Sequence, residues 1–264
     1  MNRRISFFVS FLVVALISAG TVVSHSSPSP APKKNKKHSQ VNPLLAQSLM
    51  REGFVLMQQQ LYDEALERFR RADAANPGNA TAYNMIGLCY LRMGKLDEAL
   101  ESFDIALGFI PGFTDARNNR GSTYLALEQY RLAKVDFIAV LSDSTYPHRW
   151  KIFYNLGLAY LGRGHIGAAE ESFRKAINAN NPVFEAYLRL AEIAVAQGRT
   201  DSALALLEEA HFKYPERLDG ILAYGRLLID VGRPTEARPY LEDVIASDPG
   251  SSLATEARAL LGRP

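Results

Sequence analysis

Five histidines, one cysteine and two Asp-Glu pairs are the groups in this sequence that could carry metal, nucleophilic or acid–base chemistry. The histidines, His25, His38, His148, His165 and His211, are dispersed, and no His/Cys/Asp/Glu spacing reads as a metal site. Cys89 lies in an apolar stretch and reads as a buried packing residue, since free cysteine is among the most buried residue types. One cysteine excludes an internal disulfide and leaves the redox compartment unread. Asp63-Glu64 and Asp97-Glu98 resemble paired catalytic carboxylates, but both pairs open a helix, where acids favour the positive end of the helix dipole. The expectation is a chain that is not an enzyme and holds no cofactor or metal. What remains is binding.

The acidic pairs sit inside a recurring unit. Over residues 80–113, Tyr83-x-x-Ile86-Gly87-x-x-Tyr90 is followed by Ala99-x-x-x-Phe103, Ala106 and Pro111. Two antiparallel helices approach closely only where side chains nearly vanish, which is the place of Gly87 and Ala99, while Tyr90 and Phe103 fill the space beside the crossing. Gly94 allows a left-handed stop to the first helix, and Pro111 disfavours helix in the residue before it. This unit resembles the tetratricopeptide (TPR) repeat, a helix-turn-helix of about 34 residues. The spacing recurs in residues 46–79, 114–147, 150–183, 184–217 and 218–251, with 252–264 left as a capping helix. The register places Gly53, Gly87, Gly121, Gly157 and Gly225 at equivalent sites. Phe becomes Leu207 and Leu241 in the last two units, and Thr145 replaces the third proline. The expected fold is all-α: a TPR superhelix, an α-solenoid of six repeats with a concave and a convex side.

Composition agrees with one folded array and excludes other classes. Apolar residues make up 47% and charged residues 22% of the 264, as in an ordinary globular chain. A formal charge of +2 with scattered Lys and Arg does not suggest nucleic acid. Arg3 and Arg4 precede an uncharged run over residues 5–23, which reads either as a cleaved signal peptide or as an uncleaved signal anchor. Membrane association would pass through that run. Lys33, Lys34, Lys36 and Lys37 outnumber Arg3 and Arg4, which for an uncleaved anchor would favour the reverse topology. Residues 24–42, with Pro28, Pro30 and Pro32, read as a disordered basic linker. Its lysines either touch an anionic surface or keep the spacer soluble.

In TPR arrays the second, fifth, sixth, ninth, twelfth and thirteenth residues of a unit tend to face the concave groove. That rule selects Met50, Phe54, Met57, Met85 and Leu88 in the first two units, and Asn84, Asn118, Asn119, Tyr154 and Asn155 along the middle. An apolar stripe leading into an asparagine ladder suits an extended peptide, whose backbone the amides bond while Met and Phe accept its side chains. For Met85 and Leu88, helix packing is an equal alternative. The Lys/Asn set that clamps a C-terminal carboxylate in some TPR domains is absent from the sequence.

Between the third and fourth units the period lengthens by two residues, and the segment runs Asp143, Ser144, Thr145, Tyr146, Pro147, His148, Arg149, Trp150, then Asn155-x-Gly157. Such a break either re-aims the next unit or forms a contact surface. With Ala169 and Phe173, it resembles the pilotin family of type IV pilus biogenesis (PilF/PilW/Tgl-like), where Asp-Pro-x-Tyr-Pro precedes Asn-x-Gly. Ser144 stands here for the first proline. The resemblance implies a periplasmic scaffold whose partner is a secretin subunit or another envelope protein, and which helps the secretin ring assemble. Family members are generally lipoproteins, but Thr21 stands where the acylated Cys would be. No lipidation is therefore expected, and a soluble periplasmic or inner-membrane-tethered protein follows.

Overall fold

The computed structural model describes residues 41–179 and 183–262, and the signal and linker readings on residues 1–40 lie outside them. The described residues form thirteen helices and no strand. Twelve pair into six hairpins: α1 (Pro43–Gln58) with α2 (Tyr62–Ala75), α3 (Ala80–Arg92) with α4 (Leu96–Phe109), α5 (Thr114–Ala126) with α6 (Tyr130–Leu141), α7 (Arg149–Gly162) with α8 (Ile166–Ile177), α9 (Phe184–Ala196) with α10 (Thr200–Lys213), and α11 (Leu218–Asp230) with α12 (Pro234–Ser247). A final helix, α13 (Ser252–Leu261), closes the array. Asn42, assigned above to the linker, belongs to the fold: its Oδ1 accepts from the Leu45 amide at 3.0 Å and its own amide donates to Ala75 at 2.8 Å.

The hairpins are held as the glycine register requires. A Cβ on Gly53, Gly87 or Gly157 would lie 2.5–2.6 Å from the ring of Phe69, Phe103 or Phe173. On Gly121 it would lie 2.9 Å from Phe137, and on Gly225 2.7 Å from Leu241. The partner positions Ala65, Ala99, Ala133, Ala169, Ala203 and Ala237 are all fully buried. Unit five makes the same contact with one methyl more on one side and a smaller partner, Ala191 against Leu207, both 4% exposed.

Seven residues after each of these sites the chain enters the left-handed region. Gly94, Gly164, Gly198 and Gly232 do so at no steric cost, whereas Gln60 (φ 62°) and Glu128 (φ 57°) hold a conformation that costs a residue with a Cβ on the order of 1 kcal/mol. The next residue returns its amide to the first helix in each case, as Lys95 does to Tyr90 and His165 to Tyr160, both at 2.9 Å, satisfying carbonyls left open at the helix end. Asp63, Glu64, Asp97 and Glu98 occupy first turns of α2 and α4, where the helix dipole accounts for them.

Each helix packs on the next along the chain. Successive first helices also touch, α3 with α5, α5 with α7 and α11 with α13, while the second helices make no comparable contact with one another. The first helices therefore line the crowded inner side and the second helices the outer one. No helix among the described residues is long and apolar enough to cross a membrane, and no cluster of three metal-ligating side chains occurs among them.

Candidate functional site

The inner strip begins on α1. Met50 and Met57 are half-buried beside Phe69, and Phe54, 39% exposed, meets the Phe69 ring edge-on at 5.9 Å between centroids. Leu88 is half-buried on α3. These four present apolar and thioether surface on adjoining first helices, a soft lining that can re-form around different side chains.

Two residues expected on this strip are not on it. Met85 is 8% exposed and packs with Leu66, Phe69 and Cys89, so it belongs to the core between units one and two. Asn84 is 2% exposed, and its Oδ1 accepts from Asn119 Nδ2 at 2.9 Å. Burying an amide without a partner is costly, and Asn119 supplies that partner. The expected asparagine ladder is thus partly spent on joining α3 to α5. Asn118, Asn119 and Asn155 remain half-buried, and Asn118 Oδ1 has no hydrogen-bond partner among the described residues. Tyr154 packs on Phe173 at 5.6 Å and accepts a hydrogen bond from Arg189; burial pushes its phenol pKa up and Arg189 opposes the shift.

Arg189 was not among the expected residues, although it occupies in unit five the offset of Asn155 and Asn119. Carrying the same numbering one unit further would have found it. Beyond Arg189 the strip is occupied by ion pairs: Arg189 with Glu192 at 2.8 Å, Arg217 with Glu185 at 3.0 Å, and Arg226 with Glu256. Along its length the strip therefore runs from apolar to amide and phenol to paired charge.

The junction of units three and four is built inward. Asp143 accepts from the Thr145 amide at 3.0 Å, from Thr145 Oγ1 at 2.6 Å and from Thr114 Oγ1 at 3.1 Å, and these bonds hold its carboxyl below the usual range. Arg149 Nη1 donates to the carbonyls of Leu141 and Asp143, both at 2.9 Å. Tyr146 is 9% exposed against Phe137, Val140 and Ile152, and burial together with Asp115 pushes its phenol up to about 12. Trp150 is half-buried near Phe173, while Pro147 is exposed. Asp143 and Tyr146 are thus engaged within the junction itself.

A pH effect follows. A carboxyl with a lowered folded pKa contributes fully above the ordinary carboxylate range and loses that contribution as pH falls through the folded value. The Thr145 amide resonance should stay fixed from neutral pH into the ordinary carboxylate range and move only below it. In Asp143→Asn that acidic step should be absent.

The repeat geometry has a direct counterpart among known families. One model of the tetratricopeptide repeat matches residues 50–112, 118–182 and 154–217, and a second matches 194–261. The chain belongs to the tetratricopeptide repeat family. Among solved structures, this TPR array is similar to PilF of Pseudomonas aeruginosa, at 21% identity and a TM-score of 0.69 over 82% of this chain and 97% of that one. It is similar to PilW, described as a widely conserved type IV pilus biogenesis factor, at 22% identity and a TM-score of 0.71 over 81% and 98%. YrrB, described as a TPR protein with an unusual peptide-binding site, shares 22% identity and a TM-score of 0.53 over 72% and 97%. No curated protein matches the sequence. At these identities the likeness is one of fold, and TPR arrays are protein-interaction scaffolds.

Proposed function

We propose that this TPR array is an exported scaffold that holds an extended segment of a secretin subunit in its inner groove and so assists type IV pilus assembly in the periplasm. The observation that carries the reading is the graded strip: apolar Met50, Phe54, Met57 and Leu88 lead into half-buried Asn118, Asn119, Tyr154 and Asn155. A peptide laid along it would bury its side chains at one end and have its backbone bonded in the middle. Support for the pilus setting comes from the segment Asp143–Tyr146–Pro147 ahead of Asn155-x-Gly157, from the run over residues 5–23, and from fold likeness spanning nearly all of PilF and PilW. YrrB, by its description, lends the same fold to peptide binding.

The test is deletion of the gene followed by assay of secretin multimers, with co-purification of the secretin on the full-length chain. Loss of multimers and capture of the secretin are expected; normal multimers would remove the proposal. Within the groove, Tyr154→Ala and Phe54→Ala should each weaken secretin capture about tenfold or more, the behaviour of aromatic anchors in an interface. Ile110→Ala, at an exposed residue that caps the end of the second helix α4, should leave capture unchanged.

A second reading has one observation in its favour. Thr21 in place of an acylated cysteine removes the lipid route to the outer membrane, which suits a general cell-envelope adaptor, soluble or tethered to the inner membrane. Capture dominated by wall enzymes or proteases, with secretin multimers intact, would select it. Mass spectrometry of the mature N-terminus decides between cleavage and tethering.

A further inference from the structure

The six units serve as controls for one another, and unit three departs from the rest on its outer face. Leu132, Val135 and Ile138 of α6 are 45%, 55% and 48% exposed and form one stripe along the helix. The equivalent residues are Glu64, Glu67 and Arg70 in α2 and Glu98, Glu101 and Asp104 in α4, and every other second helix keeps at least one charge there. The charges left around the stripe are mainly cationic. Arg131 is exposed on the same helix, and Lys134 lies 5.9 Å over the Tyr160 ring. The one acid of α6, Asp136, is 2% exposed and paired with Arg120. Residues 114–183 hold nine Lys and Arg against six Asp and Glu.

The complementary surface is on the same molecule. On α10, Asp201, Ala205, Glu208 and Phe212 recur at helical spacing and are all exposed, Phe212 at 85%. Its neighbour Lys213 is drawn the other way, donating to Glu209 and to the Tyr187 hydroxyl, both at 2.7 Å. Residues 184–251 hold seven Lys and Arg against twelve Asp and Glu. An acid-flanked aromatic knob on α10 thus matches a cation-flanked aliphatic stripe on α6, and both helices lie on the outer side of the array.

We propose that the chain self-associates head to tail, α10 of one copy lying along α6 of the next with Phe212 against Val135 and Ile138. Two different surfaces meet, so the contact is heterologous and leaves each copy with one free half. A contact built on two short helix stripes falls below the roughly 800 Å² per partner of a stable interface, so association should be weak and concentration-dependent. It uses the outer face and does not depend on what the inner groove binds.

Sedimentation velocity of the full-length chain, in a mild detergent that suppresses association through residues 5–23, tests this directly. Wild type should gain mass with concentration and lose that gain at high salt. Val135→Glu and Phe212→Glu change exposed residues; each should remain folded by circular dichroism and weaken association at least tenfold. Mixed together, the two variants should restore one contact and stop at a dimer, because each still offers the half that the other lacks. A wild type that stays monomeric, single variants that still associate, or a mixture that fails to pair would each overturn the proposal. So would a monomeric wild type whose Val135→Glu variant loses capture of another envelope protein, an outcome that gives the stripe to that partner.

Discussion

Asp136→Ala is expected to cost the array about 3–5 kcal/mol, the usual penalty for leaving one member of a buried ion pair without the other. Asp136 is 2% exposed and takes both Arg120 Nε, at 2.8 Å, and Nη2, at 2.7 Å. Arg120 is the more open partner: it also reaches Asp104 at 2.7 Å and lies 5.8 Å over the Tyr124 ring. Deleting Arg120 would leave the buried carboxylate only the longer contact to Arg117 Nη1, at 3.9 Å, and should cost a similar amount. The two bonds to Asp136 raise the Arg120 pKa, so the guanidinium stays charged across the working range. Unit two shows how the same place is filled without charge, by Ile86 and by Ser102, whose Oγ donates to the Glu98 carbonyl at 2.7 Å. The double variant Arg120→Ile/Asp136→Ser should therefore return to within about 1 kcal/mol of wild type, since apolar replacement of a buried pair is often neutral or better. Urea denaturation of the four proteins checks it. A double variant as unstable as either single would show that the pair does something the repeat scaffold cannot supply.

Gly87→Ala should cost about 1–3 kcal/mol, because its Cβ would sit 2.5 Å from a ring edge of Phe103, which is fully buried and has nowhere to go. Phe103→Leu alone should cost on the order of 1 kcal/mol through lost packing. Combined, the two should cost less than their sum by about 0.5–3 kcal/mol, the coupling typical of residues in contact. Unit five carries that combination already, as Ala191 with Leu207. Gly108→Ala gives the opposite sign: nothing lies within 4 Å of a Cβ there, so removing a helical glycine should stabilise by roughly 0.5–1 kcal/mol. Strict additivity of the Gly87 and Phe103 changes would mean that the crossing is looser than its geometry.

The glycine–aromatic crossings were legible because each joins residues 16 apart within one hairpin, a separation fixed by two helix lengths and one turn. The left-handed stop after each first helix was legible wherever a glycine marks it. At Gln60 and Glu128 nothing in the residue type signals it, and only equivalence with Gly94 would have found it. The inner strip was read less well. Asn84 shares an offset with Asn118 and Tyr154, yet its amide is used up by Asn119, 35 residues on. Whether two such side chains face a groove or each other depends on how far successive units rotate, and no spacing within a unit encodes that rotation.

By itself, then, the sequence determined the hairpin, its repetition and its all-helical class, because helix crossing and helix stopping are decided by small residues at short range. Tertiary structure alone decided which polar groups stay available: Asn84 and Tyr146 turn inward, Asp136 disappears beneath Arg120, and Leu132, Val135 and Ile138 stay in view. The reason is physical. Burying an amide or a carboxylate demands a partner, and here those partners come from neighbouring helices whose approach is set by packing between units.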